Sequence, residues 1–261
     1  HNQSYRTDLQ FLRGISVVMV ILYHLQVSGF DNGYLGVDIF FVLSGFLMAK
    51  LTDRVSPAIF FKKRFKRLVP AYLVTVFFTS LIVICITSPV DANQRIDRIL
   101  FDLFALSNFA FWYENSYFSS LAFKPLLNLW SLGIEVQFYI IAPFILPFLR
   151  KKKIILFLFI VGSFIASLIL LTVSPKTSFF ILPTRIWEFL FGAVAAWFFV
   201  GRKFSNIIKF LQFLSIIIIA SVIVFYPLPN DSQNILTGHP GPAALLVCLL
   251  YTSPSPRDSG K

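Results

Sequence analysis

Arg13 and His24 stand 11 positions apart in the first apolar stretch of the chain. On an α-helix that spacing is about 20° past three full turns. The two side chains therefore share one face, about 16 Å apart along the axis. A guanidinium and an imidazole so aligned could guide a long anionic molecule and then act on its far end. His24 titrates near neutrality and suits a general base. The alternative is a structural histidine bonded to a neighbouring helix. Asp38 opens the second apolar stretch, at the end where His24 also lies. It could orient the imidazole as an Asp–His pair, or it could simply favour the start of its own helix. Deeper in that stretch, Ser44 and Gly45 offer a close-packing surface.

Further ionisable groups follow. Arg64 and Arg67 are three apart, on one helical face, with Lys63 beside them. Two guanidinium forks in register suit phosphate, although basic residues also anchor membrane helices on the cytoplasmic side. Glu135 lies in the run Trp130-Ser131-Leu132-Gly133-Ile134-Glu135. It stands about two turns into its helix and needs a cationic or hydrogen-bonding partner. Tyr139 is its i,i+4 neighbour. Arg185 and Glu188, at i,i+3, can pair with each other. There is no Gly-rich phosphate loop, no Ser-His-Asp elbow and no metal-ligand cluster. His1 and His239 lie outside the apolar runs, which leaves His24 as the candidate base.

These residues need a membrane to position them. The chain has 261 residues, 57% hydrophobic and only 13% charged. A soluble domain carries about 25% charged residues. Half that share cannot coat a globule, so the composition points to an all-α, polytopic transmembrane helix bundle. A helix needs about 20 apolar residues to cross a bilayer core. The expected spans are 9–28, 35–51, 68–88, 128–149, 154–174, 184–200 and 207–228, seven in all. A truncated eighth begins near Ala243. Cys85 and Cys248 both lie in apolar runs and read as packing residues.

The net charge of +11 follows from short basic clusters between these spans, so no nucleic-acid partner is expected. Arg54, Lys62, Lys63, Arg64, Lys66 and Arg67 fall in 52–67. Arg150 to Lys153 form the next basic turn, and Arg202 and Lys203 a third. Placing all three in the cytoplasm puts the amino terminus there too. Segment 89–127 must then leave from and return to the outer face. Its apolar part, 99–112, reads as an interfacial or re-entrant helix. The polar and aromatic residues Asn108, Trp112, Tyr113, Glu114, Asn115 and Tyr117 would suit a sugar or an interfacial aromatic belt.

Taken in order, these strings resemble the acyltransferase 3 family of integral membrane acyltransferases. The resemblance rests on Arg13-x10-His24, Gly36-Val37-Asp38 through Ser44-Gly45, Arg64-x-x-Arg67, Asn128 to Tyr139, and Arg185 to Glu188. It implies transfer of an acyl group, usually acetyl, from a cytoplasmic thioester to a carbohydrate hydroxyl in the bacterial envelope. It implies that His24 and Arg13 are the essential pair of the first motif; joined with the reading of the residues, it gives a mechanism in which Asp38 or Glu135 poises His24. Arg64 and Arg67, with Lys63, would contact the phosphates of acetyl-CoA, a co-substrate. Trp130, Tyr139, Arg185 and Glu188 would line the substrate site. The partners are then a carbohydrate acceptor and membrane lipid, with no metal, in the plasma (inner) membrane. The chief rival is a transporter, since buried Arg, His, Asp and Glu also build proton relays; a non-catalytic scaffold would not need the Arg13–His24 alignment.

The membrane acyltransferase domain is expected over 1–247, lacking its last spans. Residues 248–261, with Pro254 and Pro256, cannot continue a helix and read as a non-native tail.

Overall fold

A computed structural model describes residues 7–86, 100–113, 126, 128–199, 239, 240 and 244. These residues form helices and turns. In chain order they are α1 (Thr7–His24), a 3₁₀ turn (Gly33–Leu35), α2 (Gly36–Thr52), α3 (Pro57–Ile86), α4 (Ser107–Tyr113), α5 (Leu129–Lys151), α6 (Lys153–Val173), α7 (Pro175–Phe180) and α8 (Leu182–Val194). A π-helical turn, Ala195–Phe199, continues α8. Among the described residues, four helical stretches are long and apolar enough to cross a membrane: Gly33–Thr52, Pro57–Ile86, Leu129–Lys151 and Lys153–Val173. The architecture is that of a membrane helical bundle.

The expected spans and the observed helices differ in instructive ways. α1 ends at His24 rather than 28, because the chain turns there through Gln26 and Gly29, both with positive φ. The basic residues 62–67 are not a loop. They ride on the first turns of α3, whose 30 residues make a helix about 45 Å long. That exceeds a hydrocarbon core of about 30 Å, so the basic turns project beyond it. The apolar segment 99–112 is broken at Ala105, which has φ 55. Residues 100–103 are helical, and α4 then packs inward, burying Ser107, Asn108, Ala110 and Phe111. The expected span 207–228, the start of the eighth and the tail lie outside the described residues.

α2 is the axis of the bundle. It buries residues all round, from Gly36 to Ala49, as does α8. By contrast α3 and α6 bury one face each and present Phe77, Phe78, Ile82, Phe157, Leu158 and Ile165 outward. Such rows of exposed apolar side chains suit hydrocarbon. α2 and α8 meet at a reciprocal crossing. A Cβ on Gly45 would strike the Phe189 backbone, and one on Gly192 would strike the Val42 backbone. Small residues that let two backbones touch are the usual membrane packing device. Gly33 and Gly36 do the same against α1, at the backbones of Met19 and Ser16.

One end of the bundle is basic. There Arg150, near the end of α5, pairs with Asp53, which follows α2, at 2.8 Å. The two basic connections therefore lie at the same end. Asp38 and the start of α5 lie at the opposite end.

Candidate functional site

α2 carries a polar group on each of two levels, and each organises a buried cluster. At the deeper level the centre is Glu135. Its helix α5 contains an i,i+4 tyrosine, and Tyr139 donates its hydroxyl to Glu135 Oε1. Ser44 of α2 donates to the same oxygen. Arg13 of α1 completes the set, Nη2 to Oε1 3.5 Å. The partner that the carboxylate requires is thus supplied by three helices. Oε2 is buried and takes no hydrogen bond from the described residues. Arg13 also lies over the Phe40 ring at 4.6 Å. Arg64 sits over the Tyr139 ring at 5.7 Å, with a buried Nε that has no hydrogen-bond partner among the described residues.

This level opens sideways. A cleft of about 800 Å³ runs between α3 and α5. Its basic mouth holds Lys62, Arg64 and Lys66, and its walls are apolar, with Leu73, Phe104, Val136 and Tyr139 among them. Arg67 and Lys63 are exposed on α3 nearby. An anionic head and an apolar or neutral arm fit that sequence of surfaces. A smaller opening of about 170 Å³ lies between α1, α2 and the start of α5. Val17 and Val20 line it, and both fall on the helical face that joins Arg13 to His24.

The second cluster lies nearer the other end. Asp38, in the first turn of α2, receives Arg185 Nη2 on Oδ1 at 3.1 Å. Arg185 and Glu188 form the expected i,i+3 pair, Nε to Oε1 3.1 Å. All three side chains are completely buried. The Arg185 guanidinium is boxed by Phe41, Trp130 and Phe179, at 5.3, 5.8 and 5.6 Å from their centroids. Aromatic faces attract a desolvated cation, which is why a fully buried arginine is tolerated here. Trp130 has its ring taken up by Phe179, Phe180 and Arg185. It is buried in the core.

The Asp–His pair expected of Asp38 forms, but with a different histidine. His239 Nε2 lies 2.8 Å from Asp38 Oδ2. His24 instead stands exposed at the end of α1. Its ring meets the edge of Tyr23 at 5.3 Å. Tyr23 meets Tyr34 at 5.5 Å and Tyr34 meets His239 at 5.0 Å. The two histidines flank one pair of tyrosines. His239 escaped sequence reasoning because it lies in Gly238-His239-Pro240-Gly241, where no periodicity assigns it a face. Ser44 read as a packing residue; its hydroxyl also serves Glu135. Among the described residues there is no group of His, Cys, Asp and Glu able to hold a metal ion.

The chain was compared with known proteins. It is 32% identical over 212 residues to O-acetyltransferase OatA of Staphylococcus aureus (strain NCTC 8325 / PS 47), covering 75% of this chain and 35% of that protein. It is 32% identical over 226 residues to peptidoglycan O-acetyltransferase OatA of Listeria monocytogenes, covering 80% of this chain and 36% of that protein. The chain thus spans little more than a third of the length of these relatives. No solved structure matches it. The acyltransferase domain family matches residues 6–255, and so takes in both clusters and the basic turns of α3. The chain belongs to the acyltransferase 3 family.

Proposed function

We propose that the protein transfers an acetyl group from cytoplasmic acetyl-CoA to a hydroxyl of a cell-envelope carbohydrate, in the plasma membrane of a bacterium. The amino terminus and the basic end of the bundle face the cytoplasm. The observation that carries this reading is the continuous run of polar groups from the basic cleft mouth inward. Arg64 touches Tyr139, Tyr139 bonds Glu135, and Glu135 pairs with Arg13. Family membership and the names of the two acetyltransferase relatives support the reaction class.

In this reading Arg64, Arg67 and Lys63 hold the donor's phosphates. The unpartnered Nε of Arg64 is a donor in want of an anion, which fits that assignment. The donor's arm runs along the bundle beside Arg13. Glu135 holds Arg13 in place, and Ser44 and Tyr139 hold Glu135. His24 is exposed at the far end of the Arg13 face. It is the general base: it removes the proton of the acceptor hydroxyl as the oxygen attacks the thioester carbonyl. The sulfur leaves as thiolate and regains a proton. Carbohydrate is the acceptor because hydroxyls are what such envelope polymers offer in number. The test is His24→Ala in membranes given labelled acetyl-CoA and envelope glycan. Label is expected to stay off the glycan. Labelling at the wild-type rate would sink the assignment.

A further inference from the structure

The acyl-transfer reading leaves one buried histidine without a task. His239 packs edge-on against Tyr34 and Phe179, with centroids 5.0 and 5.7 Å away. Its Nε2 bonds Asp38 Oδ2, while Arg185 holds the other carboxylate oxygen. A carboxylate gripped by a guanidinium accepts hydrogen bonds. The proton of the His239–Asp38 bond therefore sits on Nε2. A neutral imidazole has only one N–H, so Nδ1 carries a lone pair. Nδ1 is buried and meets no donor among the described residues, and such an orphan is uncommon in a finished site. Among the described residues, the groups facing this ring are Asp38 from α2, Arg185 from α8, Tyr34 from the 3₁₀ turn and Phe179 from α7. None of them offers Nδ1 a proton. Across the Tyr34 and Tyr23 rings stands His24.

We propose that His239 positions the acyl acceptor: Asp38 fixes its Nε2–H, and its Nδ1 receives a hydrogen bond from a hydroxyl of the acceptor. The ligand class is a polyol that brings an O–H donor to a site walled by aromatic rings. The assignment rests on the acyl-transfer reading. It makes Asp38 and Arg185 a mount for the imidazole, and it divides labour between the two histidines. His24 acts on the hydroxyl that reacts, and His239 holds a hydroxyl that does not.

Two substitutions separate binding from mere support. His239→Gln places its amide where Nε2 was and keeps the bond to Asp38, but has no acceptor at the Nδ1 position. His239→Asn places its carbonyl oxygen near Nδ1 and gives up Asp38. The full-length protein in membranes is assayed with acetyl-CoA saturating and the glycan varied. His239→Gln is expected to raise the acceptor KM about tenfold, the effect of one lost hydrogen bond, with kcat and the donor KM nearly unchanged. His239→Asn is expected to bind the acceptor more tightly than His239→Gln. A result in which His239→Asn binds the acceptor no better than His239→Gln overturns the proposal. The wild-type protein gives a second reading that needs no variant. Protonation turns Nδ1 from acceptor to donor, so the acceptor KM rises as pH falls below the histidine range. Burial holds this imidazole below its ordinary value, so the rise comes at lower pH than for an exposed histidine. An acceptor KM that falls as pH drops below the histidine range overturns the proposal as well. A wild-type protein that transfers no acetyl group at all fails the acyl-transfer reading instead.

Discussion

The bundle contains two buried ionic clusters, both anchored on α2, and they are built on opposite plans. The cluster at Glu135 has one carboxylate and three donors drawn from three helices. Arg13 keeps 13% of its side chain exposed, and a cleft opens beside Tyr139. The cluster at Arg185 has two carboxylates around one guanidinium, all at zero exposure and walled by aromatic rings. A charge that keeps contact with solvent or a cleft can exchange partners when a ligand arrives. A charge sealed in a low-dielectric box cannot, and losing its partner is costly. The contrast leaves the first cluster able to exchange partners and makes the second a rigid mount.

The largest expected effect breaks the sealed cluster. Arg185→Met leaves Asp38 and Glu188 buried without their cation. Removing one partner of a buried pair costs about 3–5 kcal/mol. The variant is expected to lose folded protein in membranes, or to unfold many degrees earlier in detergent. An unfolding temperature equal to wild type would abolish the distinction between the clusters. The double variant Arg185→Met with Asp38→Asn should recover part of the loss, because one uncompensated charge goes with the other.

The open cluster should respond in activity more than in stability. Glu135→Gln keeps the shape and an oxygen to accept from Ser44 or Tyr139, but removes the charge that holds Arg13. Acyl transfer is expected to fall about 10²–10³-fold, as when a preorganised electrostatic partner is removed. The unfolding temperature should move far less than in Arg185→Met. Equal losses of stability in the two variants would show that both clusters are structural.

Between these in scale lies the crossing that holds α2 to α8. Gly45→Ala adds one methyl where the Phe189 backbone stands. Neither helix can yield locally, so overpacking of about 1–3 kcal/mol is expected. Gly162 of α6 has open space around it. The same substitution there should cost nothing measurable by thermal unfolding.

Much of this contrast was legible in the residues, for definable reasons. Periodicity within one helix placed Glu135 beside Tyr139 and Arg185 beside Glu188. The cost of a lone buried charge required a partner for Glu135. Membrane depth put Asp38 near a histidine. What one sequence cannot express is which histidine. His24 and Asp38 are close in sequence and end at the same level, yet α1 leaves His24 exposed and α2 turns Asp38 inward. His239 is 201 positions from Asp38 in a Pro-Gly string with no face to read. The length of α3 was hidden for another reason: six basic residues in a row of sixteen look like a loop, but five of them, from Lys62 to Arg67, ride on the first turns of a long helix. The packed α4 was hidden as well, since its run is too short to span and its polar Asn108 finds Gln137 and the Phe180 carbonyl only in three dimensions.

His239 also gives the sealed cluster a pH dependence of smaller size. Burial disfavours its charged form and holds its pKa below the ordinary value, against the pull of Asp38. The unfolded chain therefore binds a proton at higher pH than the folded one. Stability is fully present above about pH 6.5 and is lost as pH falls toward the folded value. The unfolding temperature should decline between neutral and mildly acid pH. His239→Gln should remove that part of the decline, and an unchanged slope in the variant would place the titration elsewhere.

The smallest effect is expected at the basic end. Arg150 and Asp53 join at 2.8 Å, but their side chains are 51% and 25% exposed. Water and salt screen such a pair, and exposed pairs contribute about 0–1 kcal/mol. Arg150→Ala should shift thermal unfolding by no more than a degree or two, and less in high salt. The sealed pair is longer, at 3.1 Å, yet its loss should cost several times more. Distance alone ranks the two pairs in the wrong order; burial reverses it. A large effect at Arg150 that persists in high salt would mean that this end of the bundle is covered by a surface which shields the pair from water.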